Sequence, residues 1–190
     1  MKPFSYAEAL EWAAQRFPQE EGSNARLDAE ILLSHMLDKP RSHIHAWPEK
    51  QLTTIQHQRF VGLVEQRRQG MPVAYITGRR EFWSIELEVN PSVLIPRPDT
   101  ELMIEQALQL LPGGSNATIA HLGTGSGALA AALASEPPDT RVVAADISPS
   151  PLATARRNLP NLGSAELHSL PRACDRASIP CHLFSLIIPP

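Results

Sequence analysis

The sequence predicts an α/β protein in which an N-terminal helical bundle and a β-hairpin connector precede a doubly wound sheet domain. Three observations support this fold class. Apolar residues recur at helical spacing up to about residue 70, alternate from residue 72 to residue 98, and then form short runs that end in glycine or in an acid. We therefore predict three segments, residues 1–71, 72–98 and 99–190, and the last of them lacks strands that a complete doubly wound domain needs.

The first 71 residues contain start and stop signals for helices. Ser5 and Glu8 have the spacing of a capping box, which predicts a helix that ends before Pro18. A second helix is expected over residues 25–37, where Lys39-Pro40 stops it. A short helix over residues 41–46 and a longer one over residues 54–69 complete the predicted bundle. The inward positions of this last helix are Ile55, Phe60, Leu63 and Val64.

Residues 72–98 change to alternating spacing. Tyr75-Ile76, residues 82–89 and residues 93–95 are the apolar positions of predicted strands, with a hairpin turn at residues 84–86 or at Asn90-Pro91. A helix is then expected to start between Arg97 and Glu101. Its predicted cap is Asp99 or Thr100, its inward residues include Leu111, and Pro112-Gly113-Gly114 ends it.

Residues 118–130 predict a strand, a glycine turn and a helix. Gly123, Gly125 and Gly127 allow a sharp turn and close approach of the backbone to a ligand, and the N–H groups of the next helix then point at that ligand. Asp146 ends the next apolar run about twenty residues further on, where a carboxylate can accept hydrogen bonds from ribose hydroxyls. This pattern predicts a nucleoside cofactor. Because Gly123, Gly125 and Ala128 also fit the dinucleotide spacing, NAD, FAD and S-adenosylmethionine remain open.

The rest of the sheet domain is also predicted from apolar runs and from a helix start signal. Strands are expected over residues 118–122, 141–145, 165–167 and 183–188. Ser148 and Pro149 predict the start of a helix that runs to about Asn158.

Composition restricts the classes of ligand and partner. The net charge is −3 and no basic run is present, which argues against direct binding of nucleic acid or an anionic membrane. Cys174 and Cys181, and likewise His43, His45 and His57, lack the spacing of metal ligands. No apolar stretch reaches the length of a signal or a membrane span, so we expect a cytoplasmic protein without a metal.

Five stretches of the chain follow the pattern of one enzyme family. They are residues 72–78, 81–83, 93–101, 122–127 and 155–158, and the run Ile-Pro-Arg-Pro-Asp-Thr-Glu within the third is the most specific. In these stretches the chain resembles the HemK/PrmC-like methyltransferases, which modify a glutamine of peptide chain release factors. The resemblance implies a helical domain that contacts the release factor, followed by a Rossmann-like methyltransferase domain that uses S-adenosylmethionine.

The resemblance also implies roles for individual residues. The acceptor would be the glutamine amide in the Gly-Gly-Gln loop of a release factor. The catalytic Asn-Pro-Pro-Tyr motif of the family has its counterpart at Pro189 and Pro190, where Ile188 stands in place of the asparagine. The implied cofactor-binding residues are Gly123, Thr124, Gly125, Ser126, Gly127 and Asp146.

The chain departs from the family at several positions. His121 stands where family members usually carry an acid, and residues 164–182 lack the expected aspartate–aromatic pair. Without the asparagine, the glutamine amide is oriented by backbone alone, and we expect little methyl transfer. The alternatives are a non-catalytic remnant that binds a release factor, an NAD-dependent oxidoreductase, and an adenine-N6 nucleic-acid methyltransferase, against which the acidic net charge weighs.

Overall fold

A computed structural model gives the fold as two compact units, residues 1–77 and residues 78–190. The hairpin of residues 79–88 lies in the second unit. The structure describes residues 4–18, 24–110, 118–136, 141–159, 165–169 and 182–184. Cys174, Cys181, Ile188, Pro189 and Pro190 fall outside these ranges, as do Leu111, the predicted helix stop at residues 112–114 and most of the strand expected over residues 183–188.

In its described residues, the first unit has five helices, with side-chain caps at three of their starts. Ser5 and Glu8 form the predicted capping box, Thr53 and Gln56 form a second one, and Asn24 Oδ1 accepts from Leu27 N. Phe60, Leu10 and Leu32 are among the fully buried side chains of its core. The helices are α1 (Tyr6–Ala14), α2 (Ala25–Leu37), α3 (Arg41–Ala46), α4 (Thr54–Arg68) and α5 (Val73–Thr77).

Helix α1 ends at Ala14, before Pro18 as predicted, and Arg16 N bonds Ala13 O in the turn that follows. Two details of the first unit differ from the prediction. Ile55 is 64% exposed, since it lies five residues before Phe60 and therefore about 140° away around the helix. Tyr75 and Ile76 are helical rather than extended, because their N–H groups both bond the Pro72 carbonyl.

A buried carboxylate organises charge in the first unit. Glu30 is 6% exposed, and its Oε2 accepts from Arg41 Nη2 at 2.8 Å while Oε1 accepts from Arg26 Nε at 3.3 Å. His45 Nε2 lies 3.3 Å from the same Oε2. Burial acts to raise the pKa of Glu30, but the hydrogen bond from Arg41, the charge of His45 and the hydrogen bond from Arg26 together hold that pKa below its ordinary value.

Glu30→Gln should therefore lower the free energy of unfolding of the protein by roughly 1 to 2 kcal/mol at pH 7. The value is modest because the Arg26 and Arg41 side chains are 49% and 50% exposed. A lowered carboxyl pKa stabilises the fold above the ordinary pKa, so the difference from wild type should shrink as the pH falls below about 4.5. Urea denaturation across this pH range measures it. Glu65→Gln, which removes an exposed pair with Arg68, is the matched control, and equal losses in both variants would contradict the prediction.

The second unit confirms the α/β class. Its four described parallel strands lie in the order β5-β4-β3-β6, with Ile119 of β3 opposite Val142 of β4. A 3-10 turn over Pro98–Thr100 precedes α6. The elements are β1 (Arg79–Phe82), β2 (Ile85–Glu88), α6 (Glu101–Leu110), β3 (Thr118–Leu122), α7 (Ala128–Ser135), β4 (Arg141–Asp146), α8 (Pro149–Asn158), β5 (Ala165–Ser169) and β6 (His182–Phe184).

The core of this unit lies between the sheet and the elements that cover it. Alanine-rich α7 is buried along most of its length, which lets it pack closely on the sheet. The hairpin shares this core, because Phe82 and Leu87 are 2% and 1% exposed. Ile104 on one face of α6 and Ala155 on one face of α8 also belong to this core. Within the described residues, no helix combines the length and the hydropathy required to cross a bilayer.

Two local predictions in the second unit are wrong, and the hairpin turn begins one residue before the first of its predicted positions. The turn is Trp83-Ser84, with φ of 52° and 58°, a left-handed pair that matches the twist of the two strands. Residues 93–95 form no strand, because Val93 N bonds Asn90 O within a turn and proline on either side removes backbone donors. Neither Asp99 nor Thr100 caps α6, since both lie inside the preceding 3-10 turn.

Candidate functional site

The predicted glycine loop and the predicted acid meet at the carboxyl edge of the sheet. Leu122 of β3 pairs with Ala145 of β4, so the loop over residues 123–127 and Asp146 leave the sheet side by side. Gly125 N donates to Asp146 Oδ2 at 3.0 Å. The carboxyl ends of parallel strands are where α/β domains bind their ligands.

The loop depends on glycine for its left-handed backbone. Gly123, Gly125 and Gly127 have φ of 73°, 56° and 81°, in the left-handed region that other residues rarely adopt. A Cβ at Gly127 would lie 3.1 Å from Ala155 Cβ and 3.2 Å from Ala155 Cα. The last glycine thus allows α8 to pack directly against the loop.

The carboxylate of Asp146 is fixed by backbone donors. It is 8% exposed, and besides Gly125 N its Oδ1 accepts from Ser148 N at 3.0 Å. Ser148 precedes α8 as predicted, although its side chain makes no capping hydrogen bond. A carboxylate has about four acceptor sites, so Asp146 can hold the loop and still accept from a diol.

Ile147 is a candidate binding residue that the sequence analysis missed. It directly follows Asp146 and is 74% exposed. A large apolar side chain beside a fixed carboxylate at this edge offers a surface on which a base can pack. The sequence did contain a signal for this residue, because a large apolar side chain follows directly after the acid that ends the strand.

His121 lies beneath the loop as a neutral imidazole. It is 6% exposed, and its Nδ1 lies 3.1 Å from Thr124 Oγ1, which is also buried. Burial lowers the pKa of His121 to about 4, although the charge of Asp146 acts to raise it. At neutral pH the imidazole therefore supplies no charge to a ligand, and its contact with Thr124 instead supports the loop.

One cavity of the second unit lies away from this edge. It measures about 510 Å³, and Trp83 Nε1 donates to Glu136 Oε1 at 2.7 Å in its wall. Neither the loop nor Asp146 contributes to it, so the loop geometry and not cavity size identifies the candidate site. No group of three metal-ligating side chains occurs in the part of the chain that the structure describes. The lining residues are Glu81, Phe82, Trp83, Ser84, Glu101 and Glu136.

Comparison with known proteins finds similarity over both units. A family model described as the PrmC N-terminal domain matches residues 8–78. The release factor glutamine methyltransferase of Shewanella oneidensis is 45% identical over 182 residues, which cover 96% of this chain and 63% of that protein. The Salmonella typhimurium protein of the same name is 44% identical over 88% of this chain and 60% of its own length. The Escherichia coli protein is 46% identical, with 84% and 57% covered. The chain thus spans less than two thirds of each of these relatives.

Proposed function

We propose that this chain acts as its relatives named release factor glutamine methyltransferases do: it binds S-adenosylmethionine and methylates a glutamine side-chain amide of release factors. The proposed acceptor is the glutamine of the Gly-Gly-Gln loop. The observation that supports it most directly is the hydrogen bond from Gly125 N to Asp146 Oδ2, which joins the glycine loop and the acid into one site.

The residues at the carboxyl edge fit this cofactor. Asp146 would accept from the ribose hydroxyls through its free acceptor sites, and Ile147 would pack against the adenine. The turn at Gly125 and Gly127 brings backbone close to the amino-acid half of the ligand. When bound, S-adenosylmethionine supplies a methyl group activated by its sulfonium.

The acceptor amide needs orientation more than deprotonation. Its nitrogen is a poor nucleophile because the lone pair is delocalised, so the enzyme must hold it in line with the methyl group. We propose that Pro189 and Pro190 mark this position. Ile188 offers no side-chain acceptor there, and transfer by this chain is accordingly slow.

The helical unit is proposed to bind the release factor. It has its own apolar core, separate from that of the second unit, and the PrmC N-terminal domain match ends one residue beyond its boundary at Thr77. A division of labour follows, in which one unit holds the protein substrate and the other holds the cofactor.

Asp146→Ala should weaken S-adenosylhomocysteine binding at least about tenfold, because a hydrogen bond to a charged acceptor contributes roughly 1.5 to 3 kcal/mol. Isothermal titration of the 190-residue chain measures the affinity. Glu166→Ala is the matched control, since Glu166 is an exposed acid in the same sheet whose partner is Arg141. Asp146→Asn keeps one acceptor for the backbone and separates loss of charge from collapse of the loop.

Titrations with S-adenosylhomocysteine and with NAD, together with a methyl-transfer assay, separate the alternatives. An unchanged affinity in Asp146→Ala would show that the acid only ends a strand. Binding of NAD in place of S-adenosylhomocysteine would move the chain to the oxidoreductases. Cofactor binding without transfer of a radiolabelled methyl group to a release factor would favour the non-catalytic remnant.

A further inference from the structure

Asn158 joins three elements of the second unit through one side chain. It is the last residue of α8, and its Oδ1 accepts from Glu88 N of β2 at 2.7 Å. Its Nδ2 donates to Glu88 O at 2.9 Å and to Ser126 O of the glycine loop at 2.8 Å. The carboxamide therefore uses its acceptor and both of its N–H donors on backbone groups that are far away in the sequence.

The Ser126–Gly127 peptide is held from both sides. Asn158 binds its carbonyl, and its N–H, which belongs to Gly127, donates to Thr124 O at 2.8 Å. Ala155 lies three residues before Asn158 on α8 and is the residue that a side chain at Gly127 would meet. One face of α8 thus sets both how closely the loop approaches α8 and how the Ser126–Gly127 peptide is oriented.

This restraint is needed because the loop is rich in glycine. Gly125 and Gly127 flank Ser126 and have access to far more backbone conformations than other residues, so the peptide planes between them rotate easily. If the Ser126–Gly127 peptide rotated, the Ser126 carbonyl oxygen would move away from Asn158. It would then place a hydrogen-bond acceptor on a different side of the loop. Holding the peptide before the ligand arrives reduces the ordering cost of binding.

We propose that Asn158 is a positioning residue of the cofactor site, which fixes the Ser126 carbonyl against α8 and couples the glycine loop to β2 of the hairpin. The identity of the ligand rests on the proposed function, whereas the effect of Asn158 on the loop does not. Asn158 acts through the loop and touches no reacting atom.

Asn158→Asp tests whether the N–H donors of Asn158, and not only the size and shape of its side chain, hold the loop. Aspartate keeps the size of the side chain and an acceptor for Glu88 N, but it loses both donors and places a carboxylate oxygen against two carbonyls. Arg157→Ala is the matched control, because Arg157 Nε bonds Glu88 Oε2 at 2.8 Å and so joins the same two elements without a bond to the loop. Asn158→Ala completes the set.

Two readouts apply to the purified 190-residue chain. Affinity for S-adenosylhomocysteine should fall about tenfold in both Asn158 variants and change less than about twofold in Arg157→Ala. Amide hydrogen exchange of Gly125 and Gly127, measured by NMR without ligand, should accelerate about tenfold or more in the Asn158 variants alone. Melting temperatures show how much of each effect is general destabilisation.

Each outcome decides the inference. Wild-type affinity and exchange in Asn158→Asp would overturn it, because shape alone would then suffice. Losses of affinity that follow the melting temperature equally in all three variants would also overturn it and leave a structural role. If the unmodified chain binds no S-adenosylhomocysteine, the proposed function fails, and the exchange of Gly125 and Gly127 still decides whether Asn158 holds the loop.

Discussion

Gly127→Val should weaken S-adenosylhomocysteine binding on the order of a hundredfold or more. A β-branched residue at φ of 81° is strained by its own backbone. Its Cβ would also lie 3.2 Å from Ala155 Cα, a backbone atom that moves only if α8 or the loop moves. Displacement of a binding loop by about an ångström costs on the order of a hundredfold when the loop positions the ligand. Isothermal titration measures the change.

Two alanine variants separate the causes of this effect. Gly78 also has a left-handed backbone, with φ of 72°, but an added Cβ there has no atom within 4 Å. Gly78→Ala should therefore cost about 1 kcal/mol of stability and leave the affinity unchanged. Gly127→Ala combines the same strain with the contact to Ala155 and should weaken binding. Wild-type affinity in Gly127→Val would show that the loop does not hold the ligand.

The glycine loop and its contact with Asp146 could be predicted because their signals are local. Strand β3, the glycines and α7 follow one another within residues 118–135, and the acid ends the very next strand. Parallel pairing of successive strands then brings Gly125 to Asp146 without any further information. Helix α2 was predicted at its observed bounds for a similar reason, since apolar spacing and the stop at Lys39-Pro40 are local signals.

Short apolar runs were the source of the errors in secondary structure. Residues 73–77 and 93–95 contain too few positions to distinguish a helical period from an alternating one. In each case the backbone found its partners nearby, at the Pro72 carbonyl in the first and at Asn90 O in the second. A strand also needs a neighbouring strand with free hydrogen-bonding groups, and sequence spacing does not show whether one is present.

Long-range contacts explain the functional residues that were missed. Asn158 was noted only as the end of a predicted helix and as part of a resemblance, because its partners at Glu88 and Ser126 come from distant parts of the chain. His121 was noted only as a departure from the acid that family members usually carry at this position. Its burial depends on how α6 and α7 cover the sheet, which no local pattern encodes, whereas its partner Thr124 lies only three residues away in the sequence.

Acidification from pH 7 to pH 4 should remove about 3 kcal/mol from the stability of the second unit through His121 alone. The direction of this change in stability follows from the number of protons that the folded and unfolded states bind. Burial lowers the pKa of His121 to about 4 in the folded chain, whereas the unfolded chain keeps the ordinary value of 6.5. Between these values the unfolded state binds more protons, so the stabilisation is complete above pH 6.5 and is lost as the pH falls toward 4.

The measurement follows Trp83, which packs against the core of the second unit, in a background where Trp12 and Trp47 of the first unit are phenylalanine. Urea denaturation at several pH values gives the free energy of unfolding. His121→Asn keeps a polar group near Thr124 without a titrating ring, so its stability should be lower at pH 7 but about 3 kcal/mol less sensitive to the same acidification. His168→Asn, which removes a half-exposed imidazole from β5, is the matched control for loss of an imidazole elsewhere in the same sheet. Equal pH dependence in wild type and His121→Asn would mean that the imidazole is hydrated in solution, and that it does not support the loop as a buried neutral group.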